Sequence, residues 1–214
     1  MAKREDRRSA VDYSRLAVLA SGTGTILSAL IGADLPIVVV ATDRECPAEE
    51  VARRAEIDVV RVERDSFSSN FDRQGYTDAL CDALIEQGID VVAMAGFGTV
   101  LSPSFVATFN GTVLNTHPSL LPKHKGWHAV AAALAAGDDE TGCTVHLVTA
   151  EVDEGPILAQ ERIPIRPGDT VEVLHERIKE VERWLYPMTV RAFLASNSKS
   201  ESNPLAHGLP QGRS

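Results

Sequence analysis

Leu16-Ala17-Val18-Leu19-Ala20-Ser21-Gly22-Thr23-Gly24-Thr25 is the stretch whose reading decides the fold. Five apolar residues run without alternation into a loop of small ones. An unbroken apolar run suits a strand covered on both faces, as the strands of a parallel sheet are. The glycines allow a tight turn. The helix expected from Thr25 opens with unsatisfied amides and partial positive charge, so the loop suits an anion such as phosphate. Working outward, apolar runs recur at residues 37–41, 59–62, 91–95 and 112–115. The intervening segments carry helical spacing, as Tyr76, Ala79, Leu80, Ala83 and Leu84 do. This alternation predicts an α/β fold with a doubly wound, mostly parallel sheet.

After Gly142 the pattern changes. Cys143, Val145 and Leu147 alternate with Thr144, His146 and Val148. The chain then turns through Asp153-Glu154-Gly155-Pro156, and residues 157–165 extend again. This reads as an antiparallel addition in the C-terminal half. Asp169 or Thr170 is placed to cap a final helix running through Trp184. One domain is expected over residues 14–196, with a phosphate- or nucleotide-binding half at 14–110 and a catalytic half at 111–196. Residues 1–13 are polar and charged, and residues 197–214 are rich in Ser, Asn, Gly and Pro, so both are expected to be flexible tails.

Composition narrows the function classes. A charge of −9 over 214 residues gives no global attraction to nucleic acid or to an anionic membrane. No apolar stretch is long enough to span a bilayer, and the charged start is followed by no signal-peptide core. Cys46, Cys81 and Cys143 lie far apart without metal-type spacing, and are expected as reduced thiols in a cytoplasmic protein. No metal site is expected. His117, His124 and His128 are too irregularly spaced for zinc.

The chemistry is expected at Asn115-Thr116-His117-Pro118-Ser119-Leu120-Leu121-Pro122, which follows the strand-like Gly111-Thr112-Val113-Leu114. Residues i and i+2 of a strand face the same side, so the Asn115 amide and the His117 ring share one space. Pro118 ends the strand, since proline cannot donate to a ladder. An amide donor beside a titratable ring suits a reaction in which negative charge develops on an oxygen. The eight-residue string resembles the active-site loop of the folate-dependent formyltransferases. Val152-Asp153-Glu154-Gly155-Pro156 resembles the same family's second signature. The resemblance runs from about Arg15 to Phe193 and implies a Rossmann-like formyltransferase fold.

The resemblance implies a set of roles. Asn115, His117 and Asp153 would be catalytic, with His146 supporting the Asp153 loop. Ser21, Gly22, Thr23, Gly24, Thr25 and Ile26 would hold the phosphate of the acceptor, with Lys179 as a further partner or a plain solvated lysine. Glu182 would lie near the acceptor's amine end. Phe97, Gly98, Thr99, Val100 and Leu101, with Asn115, would line the folate pocket. Three positions depart from the family's usual pattern. Ile26 replaces an Asn, Gly98-Thr99 replaces a Met-Arg pair, and Lys123-His124-Lys125-Gly126 replaces a more hydrophobic loop. The extra positive charge of that loop would suit a folate carboxylate or an anionic substrate.

Small members of the family move a formyl group from 10-formyltetrahydrofolate to the amine of glycinamide ribonucleotide in de novo purine synthesis. That is the activity expected, with small-molecule substrates, no metal, no nucleic-acid or membrane partner, and a monomer or homodimer. Members that formylate tRNA carry a second domain, deformylases a preceding regulatory domain, and sugar-nucleotide formyltransferases lack the early phosphate loop. Two alternatives stand beside this: hydrolysis of formyltetrahydrofolate, and a non-catalytic phosphate-ligand-binding module. A nicotinamide oxidoreductase is a weaker third. Asp43 ends the second strand as a ribose-binding acid would, but Leu27 stands where the dinucleotide fingerprint needs a small residue.

Overall fold

The structure is a computed structural model and describes residues 15–66, 68 and 70–197. Both expected tails lie outside these residues, apart from Asn197. Seven strands form one sheet in the order β3-β2-β1-β4-β5-β6-β7. They are β1 (Leu16–Ala20), β2 (Ile37–Thr42), β3 (Asp58–Arg61), β4 (Val91–Met94), β5 (Val113–His117), β6 (Glu140–Leu147) and β7 (Ile157–Pro164). The helices are α1 (Thr25–Gly32), α2 (Pro47–Arg54), α3 (Arg73–Glu86), α4 (Pro103–Thr108), α5 (Ala129–Ala136) and α6 (Val171–Asn197). The first five strands pair in parallel, whereas β6 and β7 join antiparallel. The doubly wound sheet with an antiparallel addition is therefore observed.

The uniform apolar runs have the physical cause inferred for them. Leu16, Val18 and Ala20 enter one core with Leu27 and Leu30 of α1, Val130 of α5 and Leu174, Ile178 and Tyr186 of α6. Ala17 and Leu19 point the other way, into a second core with Leu80 and Leu84 of α3 and Phe105 of α4. Every residue of β1 is thus buried, on alternating faces.

Two helices differ from expectation. In α3 the Asp72 carboxylate caps the start by accepting from Gly75 N at 2.9 Å. Its buried stripe is Tyr76, Thr77, Leu80, Cys81 and Leu84, while Ala79 faces solvent. The last helix does not stop near Trp184 but continues through Pro187 to Asn197. A proline removes one hydrogen bond from a helix interior. Burial of Leu185, Tyr186, Val190 and Leu194 against the sheet offsets that loss. Thr170, rather than Asp169, opens this helix, its hydroxyl accepting from Val173 N at 3.3 Å.

The sheet reverses direction of travel between β1 and β4. A crevice forms beyond the carboxyl ends of strands at such a point, where ligands of α/β proteins bind. Here it lies between the glycine loop after β1 and the Ala95-Gly96-Phe97 loop after β4, tied together by Ser21 N donating to Gly96 O at 3.3 Å.

Candidate active site

One cleft of about 460 Å³ occupies this crevice and extends past the end of β5. Its walls include Gly22 to Ile26, Asn115 to Pro118, His146, the loop from Val148 to Asp153, and His175, Lys179 and Glu182 of α6. The expected phosphate loop, the Asn-x-His strand end and the Asp153 turn therefore meet in one space.

Four side chains form a continuous chain there. The His117 Nδ1 atom lies 3.3 Å from Asp153 Oδ2. The other oxygen of Asp153, Oδ1, lies 3.5 Å from His146 Nε2. Asn115 Nδ2 reaches the same His146 nitrogen at 3.3 Å. Register explains the assembly: Asn115 pairs directly with His146 across the β5–β6 ladder. Asp153 reaches in from the β6–β7 connection at φ 55, a left-handed conformation that Asp tolerates better than most residues.

Backbone acceptors set the protons on both rings. His117 Nε2 donates to the carbonyl of His124 at 2.8 Å, and His146 Nδ1 donates to the carbonyl of Leu147 at 2.8 Å. A carbonyl only accepts, so those nitrogens carry hydrogen. Any second proton on His117 must go to Nδ1, opposite Asp153. Burial raises the pKa of Asp153, but hydrogen bonding to His146, the Gly126 amide and the charge of His117 outweigh it and hold the acid below its ordinary value. Gly126 N donates to Asp153 Oδ2 at 2.8 Å.

The phosphate loop is narrower than the sequence implies. Gly22 to Ile26 face the cleft, but the Ser21 hydroxyl accepts from Gly98 N at 2.7 Å. Ile26 is 7% exposed and packs its side chain into the core, leaving its backbone to the loop. Gly24 has φ 76, and a Cβ there would come to 3.0 Å from Ala48 Cα. Its constraint is helix packing. At Gly22, by contrast, a Cβ meets nothing within 4 Å.

Along α6, His175, Lys179 and Glu182 recur at helical spacing and line the cleft. Lys179 Nζ also bonds Glu176 Oε1 at 2.8 Å. His175 escaped the sequence reading, although its spacing from Lys179 and Glu182 was the signal. Burial lowers its pKa, and Lys179 adds to that against Glu176. Burial raises Glu182 to about 7, against the Thr116 hydroxyl and the charges of Lys179 and Arg183.

The remaining walls are largely apolar, including Met94, Phe97, Leu101, Phe105, Val106 and Val148. Val100 lines the cleft as well. Gly98 is spent on Ser21, and Arg44 Nη2 would stand 3.0 Å from a Cβ placed on it. Thr99 reaches the cleft edge yet is 2% exposed, its hydroxyl donating to Asp43 Oδ2 at 2.7 Å. Asp43 is itself fully buried and bonded twice by Arg44, at 2.9 and 3.0 Å. It cannot serve a ribose, which removes the ground for a dinucleotide site. The basic loop is likewise committed internally. Lys123 and His124 meet Asp138, and Lys125 meets Glu154. That pairing leaves little of the free positive charge expected for an incoming carboxylate. Among the described residues no group of three or more His, Cys, Asp or Glu side chains could hold a metal ion.

Similarity to known proteins fits this geometry. A family model described as formyl transferase matches residues 14–190. The chain is 47% identical over 184 residues to the phosphoribosylglycinamide formyltransferase of Mycobacterium tuberculosis, covering 84% of each. It is 36% identical to that of Haemophilus influenzae, covering 88% of this chain and 91% of the relative. Among solved structures, glycinamide ribonucleotide transformylase 1 from Symbiobacterium toebii superposes with a TM-score of 0.79 at 36% identity, over 91% of this chain and 94% of that one. With the Asn115–His146–Asp153–His117 chain and the glycine loop opening on one cleft, the protein belongs to the formyl transferase family.

Proposed function

We infer that this chain transfers a formyl group from 10-formyltetrahydrofolate to the amine of glycinamide ribonucleotide, a step of purine synthesis. The observation that carries the reading is the junction of Asn115, His117 and Asp153 in the same cleft as the Gly22–Ile26 loop. The named activity of relatives covered over most of their length supports it.

The acceptor's phosphate is assigned to the amides of Gly22 to Ile26, with Lys179 supplying positive charge and Glu182 facing the glycinamide end. The formyl donor is assigned to the apolar wall of Phe97, Val100 and Leu101, extended by Met94, Phe105 and Val106. A mostly apolar cleft of this size suits an aromatic ligand of drug-like dimensions. The donor supplies an activated formyl carbon.

The side chains then act on charge and protons. Asn115 Nδ2 carries N–H hydrogens that an oxygen becoming negative can accept. His117 Nδ1 donates to the same oxygen when protonated, with Asp153 Oδ2 3.3 Å away to orient the ring. Asp153 is a weak base, but the attacking nitrogen becomes acidic once its bond to carbon forms. The carboxylate can then take that proton directly or through water and return it to N10 of the folate, as the carbon–N10 bond breaks, the carbonyl re-forms and tetrahydrofolate leaves.

An assay of the purified protein with both substrates tests this, following formylated product and free formate separately. Formylated glycinamide ribonucleotide is the expected product. Formate released at the same rate without the acceptor identifies a hydrolase instead. Neither product identifies a binding module.

A further inference from the structure

His124 contributes two groups to two different partners. Its main-chain carbonyl accepts the His117 Nε2 hydrogen at 2.8 Å. Its ring Nε2 lies 2.8 Å from Asp138 Oδ2, with Lys123 Nζ 3.4 Å from the same oxygen. Asp138 stands on fixed ground. It follows Gly137, the left-handed residue that closes α5, and its amide donates back to Ala133 O at 3.2 Å.

The loop around His124 is anchored on both sides. Upstream, Ser119 Oγ donates to Lys123 O at 2.6 Å and Lys123 N to Leu120 O at 3.0 Å. Downstream, Gly126 N donates to Asp153 Oδ2. Between these anchors His124 adopts φ 52, which a non-glycine residue keeps where its surroundings hold it. The peptide after His124 carries the carbonyl on which the His117 tautomer depends. Rotation of that peptide would let His117 exchange its Nε2 hydrogen for one on Nδ1, and a neutral ring would then face Asp153 differently.

We propose that His124, held by Asp138, is a positioning residue for His117: the ring clamp fixes the carbonyl that keeps hydrogen on Nε2 and reserves Nδ1 for the cleft. The proposal rests on the functional reading of His117 given above. One strap thus sets both members of the pair, through the His124 carbonyl on His117 and the Gly126 amide on Asp153. Neither His124 nor Asp138 touches the reacting atoms in this scheme.

The test uses the full-length protein and the variants His124→Ala, His124→Gln, Asp138→Ala and His124→Ala/Asp138→Ala, with His117→Ala alongside. His124→Ala and Asp138→Ala are each expected to lower kcat by about tenfold to hundredfold, with KM for both substrates within about threefold. The double variant should be no slower than the worse single, because both break one contact. Gln keeps a donor at the distance of Nε2 and should restore kcat to within about threefold of the parent. Nitrogen-15 spectra of labelled histidine, taken at a pH high enough for a neutral ring, should show His117 as the Nε2–H form in the parent and a tautomer mixture in His124→Ala. Parent-like kcat in both single alanine variants, additive losses, or an unchanged His117 tautomer would overturn the clamp. An active His117→Ala enzyme would instead overturn the role of His117, and the nitrogen spectra would then decide the clamp by themselves.

Discussion

Asp153 and His117 face one another with Oδ2 3.3 Å from Nδ1, although 36 residues separate them in the chain. His117 ends β5, and Asp153 returns from the β6–β7 connection. Against burial, hydrogen bonding to His146 and Gly126 and the charge of His117 hold the acid below the usual carboxylate range, so a carboxylate stands beside the ring. A carboxylate there can orient the ring toward a developing oxyanion.

Asp153→Asn tests the pair directly. The amide keeps the shape and can still accept from Gly126 N, but it no longer stabilises a charged ring. We expect kcat to fall by about 10²–10³, the typical loss when a preorganised electrostatic partner is removed. Binding of glycinamide ribonucleotide, followed by calorimetric titration, should stay within about threefold of the parent. Turnover near the parent's would end the assignment.

Strands β1, β2 and β4 were legible because they are largely buried on both faces, so apolar runs needed no alternation to be found. The Asn115–His117 pair was legible because both sit on one strand at its proline-marked end. Other features depend on partners distant in sequence. Thr99 reads as part of the folate wall, yet its hydroxyl is committed to Asp43, 56 residues away. The basic loop looked like an anion lure because Asp138 and Glu154 are brought to it by folding alone. Gly24 reads as a phosphate glycine, yet the neighbour that demands it is Ala48 of α2. Local pattern reports periodicity and turn chemistry. It carries no information on which buried charge will find which donor.

The two glycines of the loop should therefore separate stability from binding. Gly24→Ala places a methyl against Ala48 at a positive φ, and should cost about 1–3 kcal/mol, read as a lower denaturation midpoint. Gly22→Val has open space and should leave that midpoint within about 0.5 kcal/mol. It should instead weaken acceptor binding by about tenfold or more, through crowding where the amides meet phosphate. Equal binding by Gly22→Val and the parent in calorimetry would remove the phosphate from this loop.

Glu49 is a stability site away from the cleft. Its carboxylate is 1% exposed and accepts from Arg61, Arg53 and Thr42. Hydrogen bonding to Arg61 leads the causes that bring its pKa down to about 2, against burial. A lowered acid stabilises the fold above its unfolded pKa, and loses that contribution as pH falls through the folded value. Glu49→Gln should therefore lower stability by about 2 kcal/mol at pH 7, with Tm down by about 4–8 °C. The gap should close between about pH 5 and pH 2. A variant that melts with the parent at neutral pH would show the cluster to be energetically idle.

Glu182 should show the opposite sign. Its pKa is raised to about 7 by burial, so the folded state prefers the neutral acid. Between the ordinary carboxyl value and about pH 7 the folded chain holds a proton that the unfolded chain has lost, and stability declines as pH rises. Glu182→Gln removes that penalty. We expect the variant to match the parent near pH 5 and to exceed it by about 1–3 kcal/mol at pH 8, seen as a higher Tm at pH 8 alone. If the carboxylate faces the acceptor's glycinamide end, the same variant should raise KM for glycinamide ribonucleotide while the donor's KM holds. A gain in stability without a loss in acceptor affinity would leave Glu182 as a half-buried acid with no part in recognition. A loss in affinity without the pH-dependent gain would mean that the acid is ionised at neutral pH and already at ease in the fold.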